Sequence, residues 1–160
     1  MKSFQIRPLI EGDKTWVASL LAEWWAGPRI VTRGKLHHAE ELPGFIAVQK
    51  DKPAGLITYN IVGKECEITT MNSLVERIGI GSGLIDAVKN TAIKAGCKRL
   101  WLITTNDNTH ALRFYQKYGF FLVALHRNAI EQDRLLKPEI PLSGNDGIPI
   151  RDEIGLEMML

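Results

Sequence analysis

Two short segments carry the residue types that chemistry needs. The first, VERIGIGSGLI over residues 75–85, has glycines at 79, 81 and 83 between a strand-like run and a helix start. Glycine lets the backbone approach a ligand closely and take positive φ. A helix N-terminus adds unpaired N–H groups and a positive dipole, so the combination suits a phosphate or pyrophosphate. The second, TTNDNTHALRFYQKYGF over residues 104–120, opens on Asn106-Asp107-Asn108 and runs as a helix to Gly119. At helical spacing residues 108, 111, 112, 115 and 118 share one broad face. Tyr115 there shares its face with the small Ala111 and the polar Asn108, and by itself reads as a half-buried aromatic of an amphipathic helix. A third group, Glu65 and Glu67 in ECEITT, falls on one face of a strand. Each is a candidate general base, or merely a solvent-facing carboxylate paired with a lysine.

The glycine spacing alone leaves two phosphate-binding classes open. A dinucleotide fingerprint needs GxGxxG and an acid about 20 residues on. Here the spacing is GxGxG, and Asp107 is a loose match for the acid.

The elements that must position these residues read as follows. FQIRPLI is a strand, and GDKTWVASLLAEWW an amphipathic helix with Asp13 as its N-cap. Residues 26–42 hold Gly and Pro with no clean period, and read as loop with a short helix. GFIAVQK, AGLITYNIV and ECEITTMNSL are strands, with KDKPAG as a turn. LIDAVKNTAIKA is a helix closed by Gly96, KRLWLITT a strand buried on both faces, and FFLVALH another strand. RNAIEQDRLLK reads as a helix ending at Pro138, residues 137–150 as an irregular loop, and EIGLEMML as a last strand. The expectation is a single domain over 1–160, mixed α/β around one sheet of about six or seven strands.

Composition narrows the function. The chain is 45% hydrophobic and 24% charged with net charge +2, which argues against a dedicated nucleic-acid binder. No apolar run reaches the ~18 residues of a membrane span, and the start lacks the apolar core of a signal peptide. Cys66 and Cys97 show no CxxC spacing and read as reduced, packed thiols of a cytoplasmic protein. No metal site is expected, because the adjacent His37 and His38 point apart on regular structure.

Taken together, the two segments resemble the GNAT N-acetyltransferase superfamily. Its pyrophosphate loop, [RQ]-x-x-G-x-G/A, lays its glycines on Gly79 and Gly81. Its second signature matches Asn108, Ala111, Tyr115 and Gly119-Phe120. The match covers roughly residues 64–126. One departure stands at the loop's first position, where Glu76 replaces Arg or Gln and Arg77 follows.

The resemblance implies a sheet splayed between the strands ECEITTMNSL and KRLWLITT, with acetyl-CoA as co-substrate in the opening. It implies backbone contacts to the pyrophosphate from Arg77, Ile78, Gly79, Ile80, Gly81 and Ser82. A Cβ on Gly81 is expected to occupy the pyrophosphate's place. Met71 and Asn72 would flank the pantetheine arm, and Asn108 and Ala111 would face it. Tyr115 would protonate the leaving thiolate, a backbone N–H near Met71 would stabilise the oxyanion, and Glu65 or Glu67 would act as base. Attack by a primary amine would be direct, without a protein nucleophile.

The acceptor side is expected at Trp24, Trp25 and residues 26–42. There Arg33 and His37, with Arg29, Lys35 and His38, are candidates to receive an anionic group on the acceptor. The expected partner is a small-molecule amine, with neither nucleic acid nor membrane. The tail is a candidate lid or subunit contact, which leaves room for a homodimer. Three other readings remain: a non-catalytic acyl-CoA-binding or sensing module, an acetyltransferase of protein N-termini, and a dinucleotide-binding domain.

Overall fold

The computed structural model describes residues 3–27 and 29–160, so Pro28, part of the stretch read as loop, lies outside the described residues with Met1 and Lys2. In chain order the elements are β1 (Gln5–Pro8), α1 (Lys14–Trp24), β2 (Arg29–Thr32), β3 (Lys35–His38), β4 (Gly44–Gln49), β5 (Lys52–Val62), β6 (Glu65–Ser73), α2 (Ile80–Lys94), β7 (Arg99–Thr105), α3 (Thr109–Tyr118), β8 (Phe121–His126), α4 (Ala129–Leu136) and β9 (Glu153–Met159). Seven strands form one sheet in the order β1-β4-β5-β6-β7-β9-β8. Among the described residues only β6 and β7 pair in parallel, because α2 carries the chain across between them. The remaining neighbours are antiparallel.

The sequence reading of residues 26–42 is corrected here. They form a β2–β3 hairpin closed by Arg33-Gly34, both at positive φ (50° and 73°), followed by a 3-10 turn over Ala39–Glu41. The alternation is real: Ile30 and Thr32 are buried, and His37 is buried directly opposite Ile30. A histidine on the inner face and an Arg-Gly turn in place of Asn-Gly hide it from a hydrophobicity pattern. The hairpin makes the splaying strands the sixth and seventh in the chain. Asp13 also differs from expectation. Its carboxylate turns back to the Ile10 N–H (2.8 Å) and to Arg7 (2.7 and 2.9 Å), so it caps the preceding 3-10 turn and not α1.

The main core lies between the sheet and α2, with Leu84, Ile85, Val88, Leu100 and Leu156 fully buried. A second cluster joins Val17, Leu20 and Leu21 of α1 to Ile30, Ala39 and Leu56, which seats the hairpin on the sheet through shared apolar burial. β7 is less enclosed than its sequence suggests. Leu100 and Leu102 are buried, but Arg99 lies 5.1 Å over the half-buried Trp101 ring. Cys66 and Cys97 are free and buried, and burial pushes the Cys66 thiol up to about 12. Among the described residues no helix is long and apolar enough to cross a membrane.

Candidate active site

β6 and β7 pair only between residues 65–68 and 99–102. Beyond that point β6 keeps its ladder to β5 and β7 keeps its ladder to β9. The β7-facing backbone edge of β6 over residues 69–73 is therefore left open. The separation holds a cavity of about 840 Å³ that reaches from Trp25 to the start of α2. Met71, Asn72, Ala111, Tyr115 and Asn108 all line it.

At one end lies the glycine loop. Gly79 is the N-cap of α2, sits at φ 88°, and leaves the first turn without a side-chain cap. A Cβ built on Gly79 meets nothing within 4 Å. The free N–H groups thus face space that a phosphate oxygen can fill. Arg77, Gly79, Ile80, Gly81 and Ser82 line the cavity, Ile80 with its own side chain buried. Two expectations change. Ile78 packs on the core and does not line the cavity. At Gly81 a Cβ would meet the Phe114 ring at 3.0 Å, so that glycine serves helix packing. Glu76 also lines the cavity, as do Arg113 and Lys117 of α3, one helical turn apart.

Tyr115 stands on the opposite wall. It is buried, edge-on to Phe114 (5.5 Å) and Phe120 (5.6 Å). Its hydroxyl makes no hydrogen bond among the described residues, and burial alone holds the phenol above the usual tyrosine range. It therefore keeps its proton through neutral pH. Asn108 is the N-cap of α3, its Oδ1 accepting from the Ala111 N–H at 3.3 Å, which leaves its amide N–H groups to donate. Asn72 accepts from the Trp25 indole N–H at 2.7 Å. Tyr118 points away, its hydroxyl donating to Asp86 on α2.

The two glutamates separate. Glu65 is at the far end of β6, where the parallel pairing is intact, and meets Arg99 at 3.3 Å on the surface. The structure does not bring it to the cavity. Glu67 is buried, accepts from the Thr32 hydroxyl at 2.7 Å, and lies 3.5 Å from His37 Nε2. Thr32 Oγ1 and His37 Nε2 are 3.0 Å apart. Thr32 has one proton to give, so a network in which it donates to Glu67 requires the Nε2–H tautomer of His37.

This corrects the acceptor-side expectation. Arg33 and His37 do not form an open basic patch. Arg29 pairs with Glu139 (2.9 Å), Arg33 with Glu153 (3.5 Å), and His37 is enclosed by Glu67 and Thr32. Trp24 lines the cavity but is largely exposed, whereas Trp25 forms the inner wall. Lys137 at the end of α4 donates to the carbonyls of Trp25 and Arg29 (2.5 Å to Arg29) and pins the hairpin there.

Sequence reasoning missed two buried carboxylates, Glu153 of β9 and Asp133 of α4. Desolvation and the neighbouring Glu153 push Asp133 up to about 7. Asp107, a loose match for a ribose-binding acid, instead accepts from Thr105 (2.5 Å) and from the Asn145 N–H (3.0 Å), tying down the tail loop.

A sheet that parts at its parallel pair, beside an uncapped helix start, is the arrangement that the sequence resemblance implies. The chain belongs to the Acetyltransferase (GNAT) family, whose profile matches residues 9–120. It is 43% identical to the uncharacterized protein YdhI of Bacillus subtilis (strain 168) over 150 residues, 93% of this chain and 94% of that one. Among solved structures it resembles the IAA acetyltransferase of Bacillus cereus ATCC 14579, at 22% identity and TM-score 0.73 over 99% of this chain and 100% of that one. It also resembles a GNAT family acetyltransferase of Elizabethkingia anophelis with acetyl-CoA bound, at 21% identity and TM-score 0.71 over the whole of both chains. At these identities the two structures share the fold.

Proposed function

We propose that this protein is an N-acetyltransferase that moves an acetyl group from acetyl-CoA to the primary amine of a small molecule by direct attack. The observation that carries the reading is the free, protonated Tyr115 hydroxyl on the wall of a groove whose far end is an open, uncapped helix start. The cofactor supplies an activated thioester carbonyl and phosphates. The groove suits it: Gly79 leaves room at the helix start, and Arg77, Arg113 and Lys117 offer cations for anionic oxygens. Open N–H groups on the β6 edge near Met71 hydrogen-bond an oxyanion.

Tyr115 holds the proton that a departing thiolate needs. An ammonium near ~10 must first lose a proton. Thr32 Oγ1 takes it while passing its own proton to Glu67, and His37 holds Thr32 in that orientation. Glu67 reaches the acceptor through Thr32, because its own carboxylate does not line the groove.

The test begins with calorimetric titration of acetyl-CoA, CoA and NAD, followed by thiol release over a panel of amines. Tyr115→Phe should lower turnover by about 10²-fold or more and leave acetyl-CoA affinity within about twofold. Acetyl-CoA binding with no turnover on any amine would make the protein an acyl-CoA sensor, the reading favoured by Glu76 at the cradle. NAD binding without CoA binding would return the loop to the dinucleotide class.

A further inference from the structure

Past Trp25, Thr69 and Asn108 the groove opens into a recess of about 100 Å³. Groove and recess share those three residues together with Ile103 and Thr104. Thr32, to which the acetyl-transfer reading gives the amine's proton, lines the recess and not the groove. An acceptor that reaches Thr32 therefore stands at the recess mouth. The aliphatic part of the wall is Ile30, Val31, Ile103 and Ile130. Ile130 of α4 is buried and lines the recess alone. Of the threonine hydroxyls in the wall, three are already committed. Thr32 donates to Glu67 (2.7 Å), Thr105 donates to Asp107 (2.5 Å), and Thr69 Oγ1 lies 2.7 Å from Thr58 Oγ1. The fourth, Thr104, stands where groove and recess meet. Glu153, the ionisable residue of the wall, is committed as well. It accepts from the Arg33 N–H at 3.0 Å, faces the Arg33 guanidinium at 3.5 Å, and shares a proton with Asp133.

We infer that this recess holds a short, uncharged aliphatic group of the acceptor amine, and that Ile130 sets the length it admits. The inference rests on the acetyl-transfer reading, because it places the carbon chain of the same acceptor. A wall whose polar groups are satisfied has no partner for a buried charge or hydroxyl, which would lose its water and gain nothing. An alkyl chain loses no hydrogen bond on entering, and each methylene it buries strengthens binding about fourfold. Size sets the limit. A dry cavity of ~150 Å³ lined by Leu, Ile and Phe binds benzene, so the smaller recess suits roughly three or four carbons and excludes a ring. The reacting nitrogen then lies at the mouth, toward Thr32, Asn108 and Tyr115.

The test is thiol release by the full chain with acetyl-CoA and n-alkylamines from methyl to hexyl, beside benzylamine, 4-aminobutanoate and 1,4-diaminobutane. kcat/KM should rise about fourfold per carbon up to propyl or butyl and then fall. Benzylamine and both amines with a charged far end should lie about tenfold or more below butylamine. Ile130→Ala, which removes about three carbons from the wall, should move the optimum outward by about two or three carbons. Ile130→Val, the milder change should the first not fold, should move it by about one. An optimum unmoved in a variant that melts cooperatively, rates indifferent to chain length, faster turnover of a charged amine, or no turnover of any alkylamine would each overturn the inference. A CoA titration in parallel separates the two readings. CoA binding with turnover of other amines alone refutes the alkyl pocket, whereas absence of CoA binding, or of turnover on every amine, refutes the acetyl-transfer reading.

Discussion

Gly79→Ala separates a phosphate cradle from an ordinary strand-to-helix turn. Gly79 has φ 88° and open space where a Cβ would stand. A methyl there meets no protein atom, so its only structural penalty is the left-handed backbone, ~1–2 kcal/mol. In a chain of this size that lowers Tm by about 2–8 °C. Gly63, in the β5–β6 turn at φ 59° with equally open space, is the matched control. Gly63→Ala should show a similar fall in Tm and no change in CoA affinity.

The two variants should part in binding. The Gly79 methyl stands at the groove end of α2 and holds a phosphate off the first-turn N–H groups. Losing one charge-assisted hydrogen bond costs ~1.5–3 kcal/mol, roughly a ten- to hundredfold weaker Kd. Calorimetric titration with CoA, alongside thermal melts of both variants, reads both quantities. Equal Tm losses with unchanged Kd in Gly79→Ala would refute the cradle. Gly81 and Gly83 are poorer probes. A Cβ at Gly81 meets Phe114 at 3.0 Å and one at Gly83 meets Ile6 at 2.7 Å, so packing damage obscures binding.

Two further outcomes follow from the carboxylates. Glu67→Gln should lower turnover in the thiol-release assay by about 10²-fold or more, whereas Glu65→Gln, which breaks only a surface contact to Arg99, should leave it unchanged; equal effects would refute the Thr32 relay. Asp133 is raised from its ordinary 3.8 to about 7 by desolvation and Glu153, so the folded state holds a proton that the unfolded chain releases. That contribution to stability is full below the unfolded value and is lost as pH rises toward the folded one. Melts from about pH 5 to about pH 8 should therefore show a falling Tm that flattens in Asp133→Asn; parallel curves would refute a raised Asp133 carboxyl.

The parts of the site legible in the sequence are those whose residues do local work. Asn108 caps its own helix, Gly79 takes a conformation that needs no side chain, and Tyr115 follows at helical spacing. The splay was legible only through the family resemblance, since strand patterns do not say where pairing stops. Long-range partners left no local signal. Asp107 read as a loose match for a ribose-binding acid, yet it holds Asn145, and its neighbour Asn106 accepts from the N–H groups of Arg151 and Asp152. Arg33 and His37 read as a basic stretch because Glu153 and Glu67 lie 120 and 30 residues further along. Those contacts remove the reason for expecting an anionic acceptor there. Arg33 and His37, which seemed placed to receive an acid, instead lie against the buried carboxylates Glu153 and Glu67.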